Sequence, residues 1–322
     1  MRVLQRGYLG TRNWLGVGRH LSDSLGKNEL CPSENKTYSL SIILPARNEA
    51  AGLRVLLPKM QREFGDQEII VVNDGSTDGT ISVCNDCQVR VISHPYPLGN
   101  GAAIKAGSRA ARGEILVFMD ADGQHDPSWI RKLLSKMDEG FDMVVGARSR
   151  SSQANWGRWL ANTSYNRFAT FVVDQRVDDL TSGFRIARAE RFKEFLHLLP
   201  NGFSYPATST MAFFRSGYPV AYVPIEAQKR VGRSHIRPIK DGVKFLMILF
   251  RITTLYSPLK IFLPISGVIF VTGLSYYLYT YMTSGRFTNM SALLLVSSLS
   301  IFLIGLVSEQ ITMLLFQKTE DR

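Results

Sequence analysis

Two apolar runs close the chain, Leu259 to Met282 and Met290 to Phe316, and each is long enough to cross a hydrocarbon core of ~30 Å at about 1.5 Å of helix rise per residue. A helix on a soluble core needs an apolar stripe, whereas these runs are apolar all round, so they predict two membrane-spanning helices. Everything before Leu259 must then build its own core in water. The connecting residues Thr283 to Asn289 carry only Arg286, while Lys240, Lys244, Arg251 and Lys260 precede the pair and Lys318 and Arg322 follow it. The bias of basic residues predicts a multi-pass protein with the preceding domain and the C-terminus together on the cytoplasmic side of the membrane. Glu309 and Gln310 interrupt the second run and need partners, near the cytoplasmic end or at a subunit contact.

Upstream, from Tyr38, short apolar runs alternate with helical ones, the signature of a βα-repeating, largely parallel sheet. Expected strands are Ser39 to Leu44, Glu68 to Val72, Val89 to Ile92, Ile115 to Met119 and Met143 to Val145. Expected helices are Ala51 to Phe64, Gly79 to Asn85, Gly101 to Arg112 and Pro127 to Glu139, the last with Asp126 as N-cap and proline at the first helical position. Beyond Gly146 the pattern is less regular. Lys240 to Tyr256 has an apolar face edged by cations just before Pro258, as suits a helix lying on a membrane surface. The expected organisation is a basic tail over 1–37, an α/β domain over 38–237, an interfacial helix over 238–258 and a two-helix membrane domain over 259–322.

The centre of the α/β domain is Ile115 to His125, five apolar residues followed by Asp120, Ala121, Asp122, Gly123, Gln124 and His125. A buried strand that ends in two carboxylates delivers them to the sheet edge where α/β proteins bind ligands. Asp120, Asp122 and Gln124 offer hard oxygens suited to Mg²⁺ or Mn²⁺ bridging a diphosphate. Two more expected strand ends are polar, Ala46-Arg47-Asn48-Glu49 and Asn73-Asp74-Gly75-Ser76, so three ends define one cleft. The formal charge of +11 draws the chain to anions such as phosphorylated substrates, anionic lipid or nucleic acid. Three cysteines, Cys31, Cys84 and Cys87, make no disulfide framework, and the Cys84–Cys87 spacing falls on an expected helix, so reduced thiols are expected.

Taken together, Leu44 to Glu49, Asn73 to Thr80, Gly99 to Ala103 and Asp120 to Asp122 resemble the family 2 glycosyltransferases of the GT-A fold. Asp179 to Arg185, Val223-Pro224-Ile225 and Arg230 to Ser234 are similar to its polyprenyl-phosphate branch, which includes dolichol-phosphate mannose synthases and bacterial undecaprenyl-phosphate glucosyl- and aminoarabinosyl-transferases. The resemblance implies a membrane-bound inverting transfer of a sugar from a UDP- or GDP-linked donor to polyprenyl phosphate, with Mg²⁺ or Mn²⁺. The lipid-linked product then serves cell-envelope glycan or glycolipid modification. It further implies a homo-oligomer, by analogy a tetramer, and no nucleic-acid partner.

By the same resemblance, Pro45, Arg47, Asn48, Glu49 and Asp74 shape the nucleoside pocket, with Gly101, Asp120 and Ala121 completing the donor site. Glu49 fits a ribose contact or helix-terminus charge equally well. Asp122 is placed at the reaction centre. A phosphate monoester is already a nucleophile, so the acceptor needs cations rather than a strong base. Arg148 and Arg230 match basic positions for that role, and Asp179 matches a position read as base or orienting group; orientation of Arg185 or of an acceptor-binding arginine is the favoured reading. Asn73 and His235 depart from the aspartate and lysine common in the branch. A processive polysaccharide synthase would need a Gln-x-x-Arg-Trp motif, but Gln153 precedes Arg158-Trp159 at the wrong spacing. A non-catalytic module for anionic lipid or nucleic acid conflicts with paired acids in the cleft.

Overall fold

The structure, a computed structural model, describes residues 38–148, 166–167, 169–202, 204–226, 250, 253–254 and 256–320. The basic tail, Arg158, Arg230, His235 and most of the expected interfacial helix lie outside the described residues.

The five strands read from the apolar runs are all present as β1 (Leu40–Ala46), β2 (Glu68–Asp74), β3 (Arg90–His94), β4 (Ile115–Phe118) and β5 (Met143–Arg148). Helices α1 (Ala50–Phe64), α2 (Thr80–Asp86), α3 (Asn100–Ala110) and α4 (Trp129–Met137) connect them. α4 starts two residues later than expected. The Asp126 carboxylate accepts from the Ser128 amide at 3.0 Å and its carbonyl from the Trp129 amide, so the acidic cap closes a turn over Pro127 before the helix begins.

Four further elements follow: β6 (Arg185–Arg188), α5 (Ala189–Glu194), α6 (Tyr205–Arg215) and β7 (Val220–Ile225). The strands form one sheet in the order β3-β2-β1-β4-β6-β5-β7. β6 runs antiparallel to both neighbours and the other pairings are parallel. Alternate residues of the central strands feed two cores. Ile43, Val72 and Phe118 pack with Phe192 and Phe213 on one face, while Ile42, Leu44, Val71 and Val117 pack with Leu53, Leu57, Ile130 and Leu133 on the other. Each fully buried aliphatic or aromatic side chain contributes about 1.5–3 kcal/mol of transfer free energy, so the sheet edge is a rigid support.

After Pro258 come α7 (Leu259–Ser284) and α8 (Asn289–Glu320), both long and apolar enough to cross a membrane. Gly285, at φ 60°, ends α7 in the left-handed conformation and donates its amide to Tyr281 O at 2.9 Å. The two helices pack through small residues. Ser266 and Ser298 exchange hydroxyl-to-carbonyl hydrogen bonds at 3.0 and 3.1 Å, Gly273 lies against Leu294, and Gly305 lies against Phe262. Close approach plus a reciprocal polar pair is how apolar helices hold together in lipid, where burial of apolar surface gives no gain. Most of the remaining surface is apolar and exposed, including Val268, Tyr279, Met282 and Leu314.

Candidate active site

The C-terminal ends of β1, β2, β4 and β5 share one edge of the sheet. Strand order reverses direction at β1, with β2 on one side and β4 on the other, so this is the topological switch point where α/β sheets open a ligand crevice. Because β6 is antiparallel, its first residue joins the same edge, with Arg185 opposite both Phe118 and Val145. Asp120, Arg148 and the 179–184 segment are brought together by that reversal.

The first wall is made by the loops after β1 and β2. Asn48, at φ 55°, accepts the Thr77 amide on its side chain at 2.8 Å and donates its own amide to Ser76 Oγ at 3.0 Å. The Glu49 amide reaches Thr80 Oγ1, and the Ala50 amide reaches Asp78 Oδ2, both at 3.2 Å. Asn48, Glu49 and Ala50 are thus laced to 76–80, just after Pro45 and Arg47, and Arg47 and Asn48 are exposed. Glu49 is the N-cap residue of α1, a position where a negative charge stands at the positive end of the helix dipole.

Asp74, at the end of β2, holds the neighbouring turn. Its Oδ1 accepts from the Leu98 amide and lies 2.8 Å from His94 Nδ1, and Oδ2 accepts from the Gly99 amide. Burial opposes its ionisation, but those hydrogen bonds prevail and hold its carboxyl below the usual range. It fixes the 95–99 turn. Gly101 packs against another turn. Its amide donates to Gly202 O at 3.1 Å and the Ala102 amide to Asn201 O at 3.0 Å, so two amides of the α3 N-terminus bond carbonyls of the 200–202 turn. A Cβ at Gly101 would strike Pro200 O, which is why glycine stands there.

Asp120, Ala121 and Asp122 follow β4. The Gln124 amide donates to Asp122 Oδ1 at 3.2 Å, turning the loop at Gly123, whose φ is 72°. Gly52 on α1 lets the Ala121 carbonyl and the Asp122 backbone pass against that helix. Across the cleft Gly183 does the same for the Asp120 side chain: a Cβ there would lie 2.8 Å from Oδ2 and 3.1 Å from Oδ1. Among the described residues no three or more His, Cys, Asp and Glu side chains converge as a metal cage. Two carboxylates on one short loop fit instead a hard cation that completes its shell with substrate phosphate and water.

The second wall is the pair of Arg148 and Asp179. Arg148 Nε and Nη2 fork onto the carboxylate at 2.9 and 3.1 Å, the Arg148 amide adds a third bond at 3.3 Å, and Nη2 also donates to Thr181 Oγ1. The Asp179 side chain is 8% exposed and that of Arg148 31%. Burial of Asp179 opposes its charge, and the arginine overcomes this and keeps its carboxyl below the usual range. The orienting role expected of Asp179 is thus directed at Arg148. Arg185, the other partner considered, is fully buried and held by neutral oxygens: Ser182 O by Nε and Nη2, and Pro206 O, Ser209 Oγ and Thr210 Oγ1 by Nη1.

His125, unassigned from the sequence, stacks on Phe184 at 5.1 Å between ring centroids. Burial pushes its pKa down to about 4, so the ring is neutral near pH 7. Its Nδ1 is buried without a hydrogen-bond partner. The order Asp-Gly-Gln-His after an apolar strand was the available signal. Cys84, on α2, is buried with its thiol pushed up to about 11, and among the described residues Cys84 and Cys87 are free.

Residues 41–196 match glycosyl transferase family 2, and residues 257–314 match the GtrB C-terminal hairpin. The chain carries a family 2 glycosyltransferase domain. Relatives of this glycosyltransferase include CsbB of Bacillus subtilis, 26% identical over 294 residues, covering 84% of this chain and 86% of the relative. Polyprenol monophosphomannose synthase of Mycolicibacterium smegmatis is 28% identical over 209 residues, covering 60% and 79%. Among solved structures, glucosyl-3-phosphoglycerate synthase of Mycobacterium tuberculosis, crystallised with Mn²⁺, UDP-glucose and phosphoglyceric acid, superposes with a TM-score of 0.54 at 21% identity, over 67% of this chain and 80% of that one. The fold is therefore the GT-A α/β fold expected from the sequence.

One prediction belongs to the close approach at Gly183. Gly183→Ala pushes the end of a flexible carboxylate rather than backbone, so stability should change by no more than about 1 kcal/mol. The displaced Asp120 should nonetheless raise the divalent metal needed for half-maximal transfer severalfold. Thermal unfolding beside a metal titration checks this, and an unchanged metal requirement would separate Asp120 from the metal site.

Proposed function

We propose that this glycosyltransferase transfers a sugar from a nucleotide sugar to a polyprenyl phosphate at the membrane surface, with inversion. The observation that carries the reading is the union of two parts within one chain. A carboxylate pair stands at a GT-A sheet edge, and a membrane-type hairpin is tied to the same domain by Lys260, which bonds Phe171 O, Val172 O and Asp174 Oδ2 at 3.0, 3.0 and 2.6 Å. An acceptor confined to the bilayer meets such an enzyme where hairpin and domain join. The polyprenyl-phosphate relative supports that choice of acceptor, and the Mn²⁺ and UDP-glucose in the solved neighbour support a divalent metal and a nucleotide donor.

The mechanism follows from charge. Asp120, Asp122 and Gln124 would hold a Mg²⁺ or Mn²⁺, which would supply Lewis-acid stabilisation of the departing nucleoside diphosphate. Arg47, Asn48 and Glu49 line the donor end of the crevice, with Asp74 supporting their wall through the 95–99 turn. The acceptor phosphate, largely dianionic near neutral pH, attacks without a strong base. Arg148, held at a fixed angle by Asp179, and Arg230 neutralise it as it approaches. Asp179 thus acts through Arg148, since its own lone pairs are already committed. Incubating the enzyme with a panel of nucleotide sugars and polyprenyl phosphate, and reading lipid-linked products by mass spectrometry, tests the reaction and names the sugar. Absence of any lipid-phosphate product across the panel would refute it.

The proposal includes a topology with both ends of the hairpin and the catalytic domain on the cytoplasmic side. A cysteine at exposed Asn289, in a background lacking Cys31, Cys84 and Cys87, should react with an impermeant thiol reagent added to intact cells. Labelling only after lysis would reverse the orientation.

A further inference from the structure

Glu309 is the only charged residue between Asn289 and Leu314. About twenty residues of helix from Asn289 place it about 30 Å along α8, at the far edge of a hydrocarbon core. There it is well partnered. Its Oε1 pairs with Arg215 Nη2 at 3.2 Å and its Oε2 accepts the Leu259 amide, at the start of α7, at 3.3 Å.

Arg215 is the last residue of α6, and α6 is the helix that holds the catalytic turn. Its Pro206 carbonyl and the hydroxyls of Ser209 and Thr210 grip buried Arg185, at 2.7, 2.9 and 3.0 Å. Arg185 in turn grips Ser182 O, the Tyr205 hydroxyl donates to Gly183 O at 3.2 Å, and Gly183 abuts the Asp120 carboxylate. Tyr256, just ahead of the hairpin, adds a bond from its hydroxyl to Thr208 O at 2.8 Å. One eleven-residue helix therefore carries the hairpin's ionic latch at its C-terminus and the cradle of the 182–184 turn at its N-terminal half.

We propose that Glu309 is a positioning residue for transfer: paired with Arg215, it seats the membrane hairpin on α6, and α6 passes that seating to the 182–184 turn beside Asp120. The inference rests on the lipid-phosphate reading for its purpose, since it makes the catalytic turn fully set only when the membrane hairpin is docked. Its physical core is independent of that reading. Removing only the cation strands a carboxylate at an apolar boundary, whereas removing both charges leaves a neutral contact, so the pair should behave non-additively.

The test uses the full chain in lipid nanodiscs, free of added metal, and compares the parent with Arg215→Ala, Glu309→Gln and the double variant by hydrogen exchange. In Arg215→Ala, amides in 181–187 should exchange at least tenfold faster than in the parent, and the double variant should return to within threefold. Glu309→Gln keeps an acceptor for the Leu259 amide and should shift exchange by about threefold, so it reads the latch even if Arg215→Ala folds poorly. Turnover with saturating polyprenyl phosphate should fall about tenfold in Arg215→Ala, with the acceptor KM within twofold, and recover in the double variant. Parental exchange over 181–187 in both single variants, or a double variant no better than Arg215→Ala, would overturn the proposal. A parent that makes no lipid-linked product while the exchange pattern holds would overturn the functional reading alone.

Discussion

Exchanging Asp122 for asparagine should lower transfer by about a hundred- to a thousandfold, the scale on which loss of a key electrostatic stabiliser acts at a reaction centre. The substitution removes one negative charge from the pair that would hold the metal and keeps the shape of the side chain. The asparagine amide would still present an oxygen to the Gln124 amide, which the carboxylate accepts at 3.2 Å within its own loop. The side chain is half-buried at the strand end, outside both cores, so the melting temperature should stay within a few degrees. Initial rates over a wide range of Mg²⁺ and Mn²⁺, beside thermal unfolding, make the comparison. Ordinary turnover at ordinary metal would remove Asp122 from the metal site.

Asp179→Ala should have the largest effect on stability. It leaves the Arg148 guanidinium, with two of its nitrogens and its amide deprived of their acceptor, in a site that is mostly closed to water. Breaking a buried pair in this way costs about 3–5 kcal/mol, and the lower end applies here because 31% of the arginine side chain remains exposed. Removing the cation as well, in Asp179→Ala with Arg148→Met, should restore most of the stability but none of the transfer. That split separates the pair's structural role from the arginine's catalytic one. The pH dependence has a definite sign. The carboxyl lies below its usual range in the folded state, so its contribution is complete above about pH 4, the unfolded value, and is lost as pH falls through the depressed one. The difference in melting temperature between parent and variant should therefore be flat from about pH 5 to 8 and close only in acid.

How much of this could be read from the chain depends on where each residue's partner lies. β1, β2 and β4 were legible because strands buried on both faces are continuous apolar runs, and their polar ends stood out by contrast. The two long C-terminal helices were legible because apolar runs of that length, long enough to cross a membrane, stand apart from everything before them. β6 was not, since Arg185-Ile-Ala-Arg188 begins with an arginine that only a set of distant carbonyls and hydroxyls makes burial-compatible. β7 carries Pro224, which local reading demotes as a strand and which the structure places in the sheet's edge strand. The site shows the same division. Asp120 and Asp122 announced themselves by sequence position, whereas the bonds of Asp74 to His94, Leu98 and Gly99, and the packing of Gly101 against the 200–202 turn, had no local signal. Asp179 lies 31 residues from Arg148, and the nearer Arg185 was an equally good candidate on paper. Glu309 signalled only that it needed a partner; the fold supplied Arg215, 94 residues away.

The central claim is that the cleft joins a nucleotide-bound sugar to a phosphate carried by the bilayer, with a divalent cation at Asp120 and Asp122. It is tested most directly by following labelled sugar from its nucleotide donor into the lipid phase with two acceptors of equal chain length, polyprenyl phosphate and the corresponding polyprenol, each with Mn²⁺ and with chelator. Label should enter the lipid phase only with the phosphate acceptor and only with metal. Equal incorporation into the polyprenol, or undiminished incorporation under chelation, would contradict the account.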